Sequence, residues 1–267
     1  MKCVLAILLL TAASGAPVTP AYAAYQKANS LFTAGKFPET AAALAEALRL
    51  DPDLIPALTL RAKLSMGNNR FEEARRDLEH ALSVDPKAEY ALFLYGLEAY
   101  LTNDMKQALP RFRKARQLSP TNPRAALYLG LTCESLGETT EALHLYREAA
   151  RLEQAKGGVD AETLLPGARL LFLLGQLEES ESWTRQALKS APNFRDAHFQ
   201  LARLLLKKGD GPRAASEGET ALRLTGVTIT DAQIHYLLIR AWREAGQPEK
   251  SATHAEILRT LEAPTNH

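Results

Sequence analysis

One short segment occurs three times at a constant spacing, and this spacing decides the fold. The segment reads Ala47-Leu48-Arg49-Leu50-Asp51-Pro52, then Ala81-Leu82-Ser83-Val84-Asp85-Pro86, then Ala115-Arg116-Gln117-Leu118-Ser119-Pro120. Each proline follows the previous one by 34 residues. A fixed period of this length is typical of a chain built from repeated supersecondary units, so the repeat has to be identified before any single helix or strand.

The same register continues along the chain and predicts seven repeats. Insertions of four residues, at 157–160, and of three residues, at 229–231, interrupt it. We expect the first insertion to act as a soft joint. Residues 24–267 are assigned to one repeat array, which leaves no stretch in which a catalytic domain could sit. The repeats span 21–54, 55–88, 89–122, 123–156, 161–194, 195–228 and 232–265.

Residues at matching positions indicate that each repeat is a pair of closely packed helices. Positions 8, 20 and 27 hold small residues in nearly every repeat, and small side chains let two helices approach each other. Between the two helices comes a residue suited to the left-handed conformation that ends a helix. These residues are Gly35, Gly67 with Asn68, Asn103, Gly137, Gly175, Gly209 and Gly246.

This pattern resembles the tetratricopeptide repeat family, whose repeats carry apolar residues at positions 4, 7 and 11, small residues at 8 and 20, an aromatic residue at 24 and proline at 32. The third and fourth repeats match best, whereas positions 4 and 24 depart from the pattern in the later repeats. The matching residues are Leu92, Tyr95, Gly96, Ala108, Phe112, Ala115 and Pro120, then Leu129, Gly130, Gly137, Ala142, Tyr146 and Ala149.

The resemblance implies an all-α fold, an α-solenoid that forms a right-handed superhelix of about seven helix-turn-helix repeats. Such an array presents one extended concave wall, and its usual activity is to hold another chain. Some members of the family bind an acidic C-terminal peptide through a clamp of Lys and Asn. Tyr25 and Leu60 stand where two of those residues would be, so this ligand is not transferred to the present chain.

The first 23 residues have the layout of a secretory signal. Lys2 precedes an apolar run at 3–13, a breaker-rich stretch follows at 14–20, and Ala21-Tyr22-Ala23 offers small residues for cleavage. The run is about half of the roughly 20 residues that a transmembrane helix needs, so we expect no stable membrane span. The sequence therefore predicts a signal peptide at 1–23, cleavage after Ala23, and a periplasmic or secreted protein.

Composition and charge exclude several classes. With 46% hydrophobic and 24% charged residues, the chain is neither disordered nor fibrous. Its 32 Lys and Arg against 31 Asp and Glu leave a net charge of +1, which disfavours binding to nucleic acid. Removal of the signal would leave Cys133 as the single cysteine, either buried or reactive, and the buried state is favoured because free cysteines are mostly found in interiors.

The sequence carries none of the motifs that would indicate an enzyme. Its six histidines form no His-Glu-x-x-His pair, and the phosphate-binding loop, the serine elbow and the Cys-x-x-Cys pair are all missing. His198 and His235 share position 4 of adjacent repeats, and we interpret them as packing residues rather than as a metal or proton site. No catalytic residue, metal ligand or cofactor is predicted.

Aromatic and basic residues concentrate on one strip of the first helix of each repeat. Positions 2, 5, 9 and 12 face about 130° away from the packed face and form what we call the inner strip. We predict that it binds a partner, because exposed apolar surface of this extent normally marks an interaction site. The predicted groove residues are Tyr25, Phe32, Lys63, Tyr90, Phe93, Tyr100, Arg169, Phe172, Phe199, Arg203, Tyr236 and Arg240.

Two alternatives apply to the inner strip. Neighbouring first helices could bury part of it against one another, and the arginines at position 9 could pair with Glu162 and Asp196 on the same strip. For function, the leading hypothesis is a non-enzymatic scaffold of the cell envelope that binds a peptide or helix of a partner protein. The alternative is an assembly subunit that associates with copies of itself, and a hydrolase or metal enzyme is a remote third.

Overall fold

The computed structural model describes residues 19–262, and this part of the chain consists of fourteen α-helices joined by short turns, without a strand. The predicted all-α class is confirmed, and the helices form seven consecutive pairs. They are α1 (Pro20–Thr33), α2 (Phe37–Leu50), α3 (Ile55–Gly67), α4 (Phe71–Val84), α5 (Glu89–Leu101), α6 (Met105–Leu118), α7 (Pro123–Ser135), α8 (Thr139–Gln154), α9 (Ala161–Leu173), α10 (Leu177–Ser190), α11 (Arg195–Lys207), α12 (Gly211–Arg223), α13 (Asp231–Glu244) and α14 (Pro248–Glu262).

The helices are grouped into two compact units, and the boundary between them lies within α5, after Leu94. The insertion at 157–160 is not this boundary. There the carboxylate of Glu153, near the end of α8, accepts hydrogen bonds from the Asp160 amide at 3.0 Å and from the Thr163 hydroxyl at 2.8 Å. The insertion is therefore tied to the helix before it and to the helix after it.

Small residues at positions 8, 20 and 27 form the contacts between paired helices. Position 20 is buried in all seven repeats, and positions 8 and 27 are buried in the first six. Glycine replaces alanine at position 8 in the two repeats that carry an aromatic ring at position 24. A Cβ added to Gly96 would lie 2.7 Å from the Phe112 ring, and one added to Gly130 would lie 2.8 Å from the Tyr146 ring. The ring at position 24 thus takes the space of the missing methyl group.

Each first helix ends at a residue with a positive φ at position 15 of its repeat. These residues are Gly35, Asn69, Asn103, Gly137, Gly175, Gly209 and Gly246. In the second repeat this residue is Asn69 rather than the predicted Gly67-Asn68 pair. The following amide donates back to the carbonyl of position 11, as from Glu138 to Cys133 at 2.8 Å, which satisfies a carbonyl at the helix end.

A series of polar side chains, buried or partly buried, joins the last three helices. His235 on α13 and His254 on α14 are both buried, and their Nδ1 atoms lie 2.9 Å apart. His254 Nε2 lies 3.0 Å from a carboxylate oxygen of Glu219 on α12, and the Trp242 indole N–H points to the same oxygen at 3.4 Å. Because an ionised carboxylate only accepts, His254 donates through Nε2, and its Nδ1 accepts the proton of His235 Nδ1.

The surroundings of His235 make this series of hydrogen bonds sensitive to acid. Burial and the neighbouring His254 lower the pKa of His235 below its ordinary value of 6.5, while Asp231 and Glu219 act more weakly in the opposite direction. A histidine with a lowered pKa binds protons less tightly in the folded state than in the unfolded state. Its contribution to the free energy of unfolding is therefore present above about pH 6.5 and is lost as the pH falls toward the lowered pKa.

We expect acid to lower the thermal midpoint of the native chain more than that of His235→Gln. The variant lacks the buried imidazole that takes up a proton on unfolding, so its midpoint should fall less between about pH 7.5 and about pH 5.5. Circular dichroism melts at the two pH values measure the effect. His144→Gln, which removes an exposed histidine of the same compact unit, serves as the control. An equal fall in the native chain and in His235→Gln would contradict the assignment.

Candidate functional site

The N-terminal unit contains a groove of about 760 Å³ on the inner strip of α1, α3 and the first turn of α5. Four predicted residues line it, namely Tyr25, Phe32, Lys63 and Tyr90. The Lys63 ammonium lies 4.8 Å from the centre of the Phe32 ring, a cation–π contact. We call this the N-terminal groove, and its other lining residues are Asn29, Thr33, Ile55, Pro56, Thr59, Leu60, Asp85, Ala88, Glu89 and Ala91.

The C-terminal unit contains a second groove, of about 240 Å³, on the inner strip of α9, α11 and α13. Five predicted residues line it: Phe172, Phe199, Arg203, Tyr236 and Arg240. Tyr236 is 61% exposed, so most of its ring is open to solvent. We call this the C-terminal groove, and it is completed by Leu206, Lys207, Gln233 and Leu237.

The guanidinium of Arg203 is held in a fixed place within the C-terminal groove. It lies 4.3 Å from the centre of the Phe172 ring and 6.0 Å from that of Phe199. One of its Nη atoms donates to the side-chain oxygen of Gln200 at 3.0 Å, and Gln200 is itself fully buried. Burial and the nearby charge of Arg169 lower the pKa of Arg203 below its ordinary value. This cation is therefore partly desolvated and faces a like charge.

The two grooves place their cations by the same register. Lys63 and Arg203 both occupy position 9 of a repeat, and the rings below them, Phe32 and Phe172, both occupy position 12 of the preceding repeat. Stacking one repeat on the next therefore brings position 9 over position 12. An aromatic residue at position 12 and a cation at position 9 of the next repeat produce the same contact in both compact units.

The remaining predicted residues lie outside the two grooves. Phe93 is 5% exposed and stacks against Tyr90, and Tyr100 packs edge-on against Tyr128 with their ring centres 5.7 Å apart. Arg169 lines a separate depression of about 410 Å³ beside Leu127, Leu131 and Leu165. Part of the inner strip is thus packing surface. This agrees with the alternative that neighbouring first helices bury part of the strip.

The pairing of the strip arginines with Glu162 and Asp196, which was an alternative from sequence, is not formed. Within residues 19–262, none of Arg169, Arg203 and Arg240 makes an ion pair. Lys207 is a cation that the sequence prediction missed, although it lies one helical turn after Arg203 and lines the same groove. Asp85 and Glu89 were missed in the N-terminal groove because they precede or open α5 and fall outside positions 2, 5, 9 and 12.

A different arginine, Arg195 on α11, is bound on several sides. It is 7% exposed, donates to the carbonyl of Leu224 at 2.9 Å, and pairs with Asp231 at the start of α13. Gly226 approaches its stem so closely that an added Cβ would lie 2.8 Å from the Arg195 Cδ. Arg195 thereby fixes the connection between α12 and α13, which contains the second insertion.

Arg195 and Arg203 should differ in what they contribute to stability. Arg195→Met should lower the free energy of unfolding by about 1.5–3 kcal/mol, because two hydrogen bonds made by a charged group are lost. Arg203→Met should cost about 1 kcal/mol or less, since the lost bond to Gln200 is offset by relief from desolvation and from repulsion by Arg169. Urea unfolding of both variants tests this difference, and equal losses would contradict it.

Cys133 is buried, as favoured from sequence, and burial together with Glu141 and Glu138 raises the pKa of its thiol to about 12. The possible ligand atoms of these three residues lie within 4.8 Å of one another. Arg113, however, pairs with Glu138 at 3.7 Å and with Glu141 at 3.3 Å. The guanidinium of Arg113 thus already occupies the two carboxylates of this cluster, which disfavours binding of a metal cation there.

The two histidines at position 4 have separate partners. His198 contacts a carboxylate oxygen of Glu217 at 2.7 Å and the carbonyl of Pro192 at 2.9 Å, whereas His235 contacts His254. The two residues therefore do not form a joint site, and each makes polar contacts with groups of its own surroundings in addition to packing between helices.

Family models of a known repeat match most of the described part of the chain. Two models described as "Tetratricopeptide repeat" match residues 31–94, and residues 102–158 and 165–226, respectively. A search of curated protein sequences returns no significant match. Within residues 19–262, the helices are too short or too polar to span a membrane.

Solved structures with a similar fold share little sequence with the chain. One chain of the APC/C hetero-tetramer Cut9-Hcn1 matches with a TM-score of 0.73 and 16% identity. The match covers 83% of the present chain and 42% of the chain in that complex. PilW, described as a "widely conserved type IV pilus biogenesis factor", matches with a TM-score of 0.69 and 18% identity over 79% of this chain and 96% of its own. YrrB, described as "a TPR protein with an unusual peptide-binding site", matches with a TM-score of 0.56 and 19% identity over 76% and 97%.

Proposed function

The chain belongs to the tetratricopeptide repeat family, and from this premise we propose that it is a non-enzymatic scaffold of the cell envelope that binds a segment of a partner protein along its inner strip. Proteins of this family are generally protein-interaction scaffolds. The peptide-binding site described for YrrB and the pilus biogenesis role described for PilW agree with this type of activity. The proposal involves no cofactor and no catalytic step.

The observation that carries the proposal is that aromatic rings remain exposed in both grooves, each of which also contains a cation stacked on a phenylalanine ring. Tyr90 is 50% exposed in the N-terminal groove and Tyr236 is 61% exposed in the C-terminal groove. Large exposed rings cost free energy in water unless a partner covers them. Tyrosine and arginine are also the residues in which binding energy concentrates at protein interfaces.

Photo-crosslinking from the grooves tests the proposal. The photoreactive amino acid p-benzoylphenylalanine would replace Tyr90 or Tyr236 in the full chain, in the cells that produce it, and adducts would be identified by mass spectrometry. Discrete adducts with a different protein are expected from both positions, because both rings face an open groove. Val84 and Ile257 are control positions, since they are exposed apolar residues that line neither groove.

Two outcomes would contradict the scaffold proposal. Adducts that are as abundant from Val84 and Ile257 as from the grooves would indicate nonspecific contact. Adducts consisting only of a second copy of this chain would favour the alternative of a self-associating assembly subunit.

We further propose that the chain is exported and loses residues 1–23. The apolar run and most of the proposed signal lie outside the described residues. Helix α1 begins at Pro20, with the Thr19 side chain accepting a hydrogen bond from the Tyr22 amide at 3.2 Å. Cleavage after Ala23 would therefore remove this cap and the first turn, and the mature chain would begin inside α1.

Intact mass spectrometry of the protein recovered from the envelope fraction should give a chain that begins at Ala24. Ala23→Gln should block processing, because the residue before the cleaved bond has to be small, whereas Ala24→Gln, on the other side of that bond, should be processed normally. A native chain that retains residues 1–23 in the envelope fraction, or an Ala23→Gln variant processed like the native chain, would count against the assignment.

A further inference from the structure

We propose that the C-terminal groove binds a segment that carries at least two acidic side chains next to an aromatic or aliphatic residue, supplied by a partner protein. This inference rests on the proposed scaffold function and specifies the chemistry of its ligand. It concerns the surface formed by α9, α11 and α13 alone.

The charge of the groove lining is the first argument. Three of the lining residues are cationic, namely Arg203, Lys207 and Arg240, and none is acidic. The N-terminal groove differs, because Lys63 is accompanied there by two carboxylates, Asp85 and Glu89. Like charges gathered without counter-charges repel one another, and a ligand with carboxylates relieves this repulsion on binding.

The fixed position of Arg203 is the second argument. Within residues 19–262 its hydrogen bond goes to Gln200 through one Nη atom, which leaves the Nε and second Nη donors for a ligand. These donors form a planar fork that matches the two oxygens of a carboxylate. Because Phe172 and Gln200 already hold the guanidinium, little side-chain entropy is lost when the ligand binds.

The number of cations favours acidic side chains over a single chain terminus. Arg203 and Lys207 lie on α11, and Arg240 lies on α13. Together these three cations carry more positive charge than the single carboxylate of a chain terminus balances. Several acidic side chains along one segment can meet cations on both helices. Between them, an apolar side chain of the ligand can cover the exposed ring of Tyr236 and the edge of Phe199.

The segments of this chain outside the described residues do not fit the groove. Residues 1–18 and 263–267 contain neither Asp nor Glu. We therefore assign the acidic segment to another protein. Its carboxylates must not be engaged in ion pairs within that protein, so that they can pair with Arg203.

Peptide selection on the full-length protein tests the inference. Random twelve-residue peptides, displayed on phage without a free carboxyl terminus, are selected for binding. The most enriched peptide is then synthesised with an amidated terminus, together with a matched peptide in which Gln replaces each Glu and Asn replaces each Asp. We expect enriched peptides to contain two or more acidic residues beside an aromatic or aliphatic residue.

Substitutions in the protein locate the binding site. Arg203→Gln should raise the Kd of the acidic peptide by about tenfold or more, and the neutral peptide should lose binding to a similar degree. Arg203→Lys, which keeps the charge but lacks the fork, should give an intermediate Kd. Arg243→Gln removes an arginine of α13 that does not line the groove and should change the Kd by less than about twofold. Circular dichroism confirms that each variant is folded.

The possible failures are distinguishable. Selected neutral peptides whose binding depends on Phe199 and Tyr236 would overturn the acidic specificity and leave the scaffold function in place. Peptides that bind only with a free terminal carboxylate would overturn it in favour of a terminal ligand. If acidic peptides are selected but Arg203→Gln binds them as the native chain does, the location is wrong. The scaffold function itself fails if no peptide is selected. It also fails if the selected peptides bind unchanged to variants of the N-terminal groove and to variants of the C-terminal groove.

Discussion

Close approach of the two helices in each repeat is the constraint on which the rest of the structure depends. It is produced by small residues at positions 8, 20 and 27, which are buried in at least six of the seven repeats. With these contacts fixed, position 15 must reverse the chain in a left-handed conformation, and it does so in every repeat. The rotation of the first helix is fixed as well, so positions 2, 5, 9 and 12 face away from the second helix of the pair, and their chemistry can change without altering the contacts between the paired helices.

The two grooves share one contact on the inner strip but differ in the charges that surround it. Both place a cation at position 9 over a ring at position 12 of the preceding repeat, but the N-terminal groove adds Asp85 and Glu89, whereas the C-terminal groove adds Lys207 and Arg240. The shared contact follows from how repeats stack, and the added charges follow from the local sequence. A repeat array can in this way present grooves of different charge on one type of scaffold.

The fold could be predicted from sequence more completely than the site. The 34-residue period and the small positions place the helix pairs, because both depend on spacing alone. Helical periodicity gives the direction in which a side chain leaves its helix but not the distance to the next helix, so it could not tell that Phe93 is buried while Tyr90 is half exposed. It also missed Glu153, whose hydrogen bonds hold the insertion at 157–160, since those contacts join residues seven and ten positions apart across a loop.

The buried and half-buried arginines of this chain have two kinds of surroundings, one that stabilises the fold and one that suits ligand binding. Arg111 and Arg195 are largely buried and meet carboxylates from their own compact unit, and such pairs are retained because breaking them leaves a buried charge unsatisfied. Arg203 is half-buried as well, yet its neighbours are two rings, an amide and another arginine. Acidic residues are nearly as numerous in this chain as basic ones, so the composition of the chain does not explain why the C-terminal groove has no acidic lining residue. A cation that is held rigidly, partly desolvated and left without a counter-charge contributes little to folding, and its arrangement is the one that favours binding of a carboxylate from another molecule.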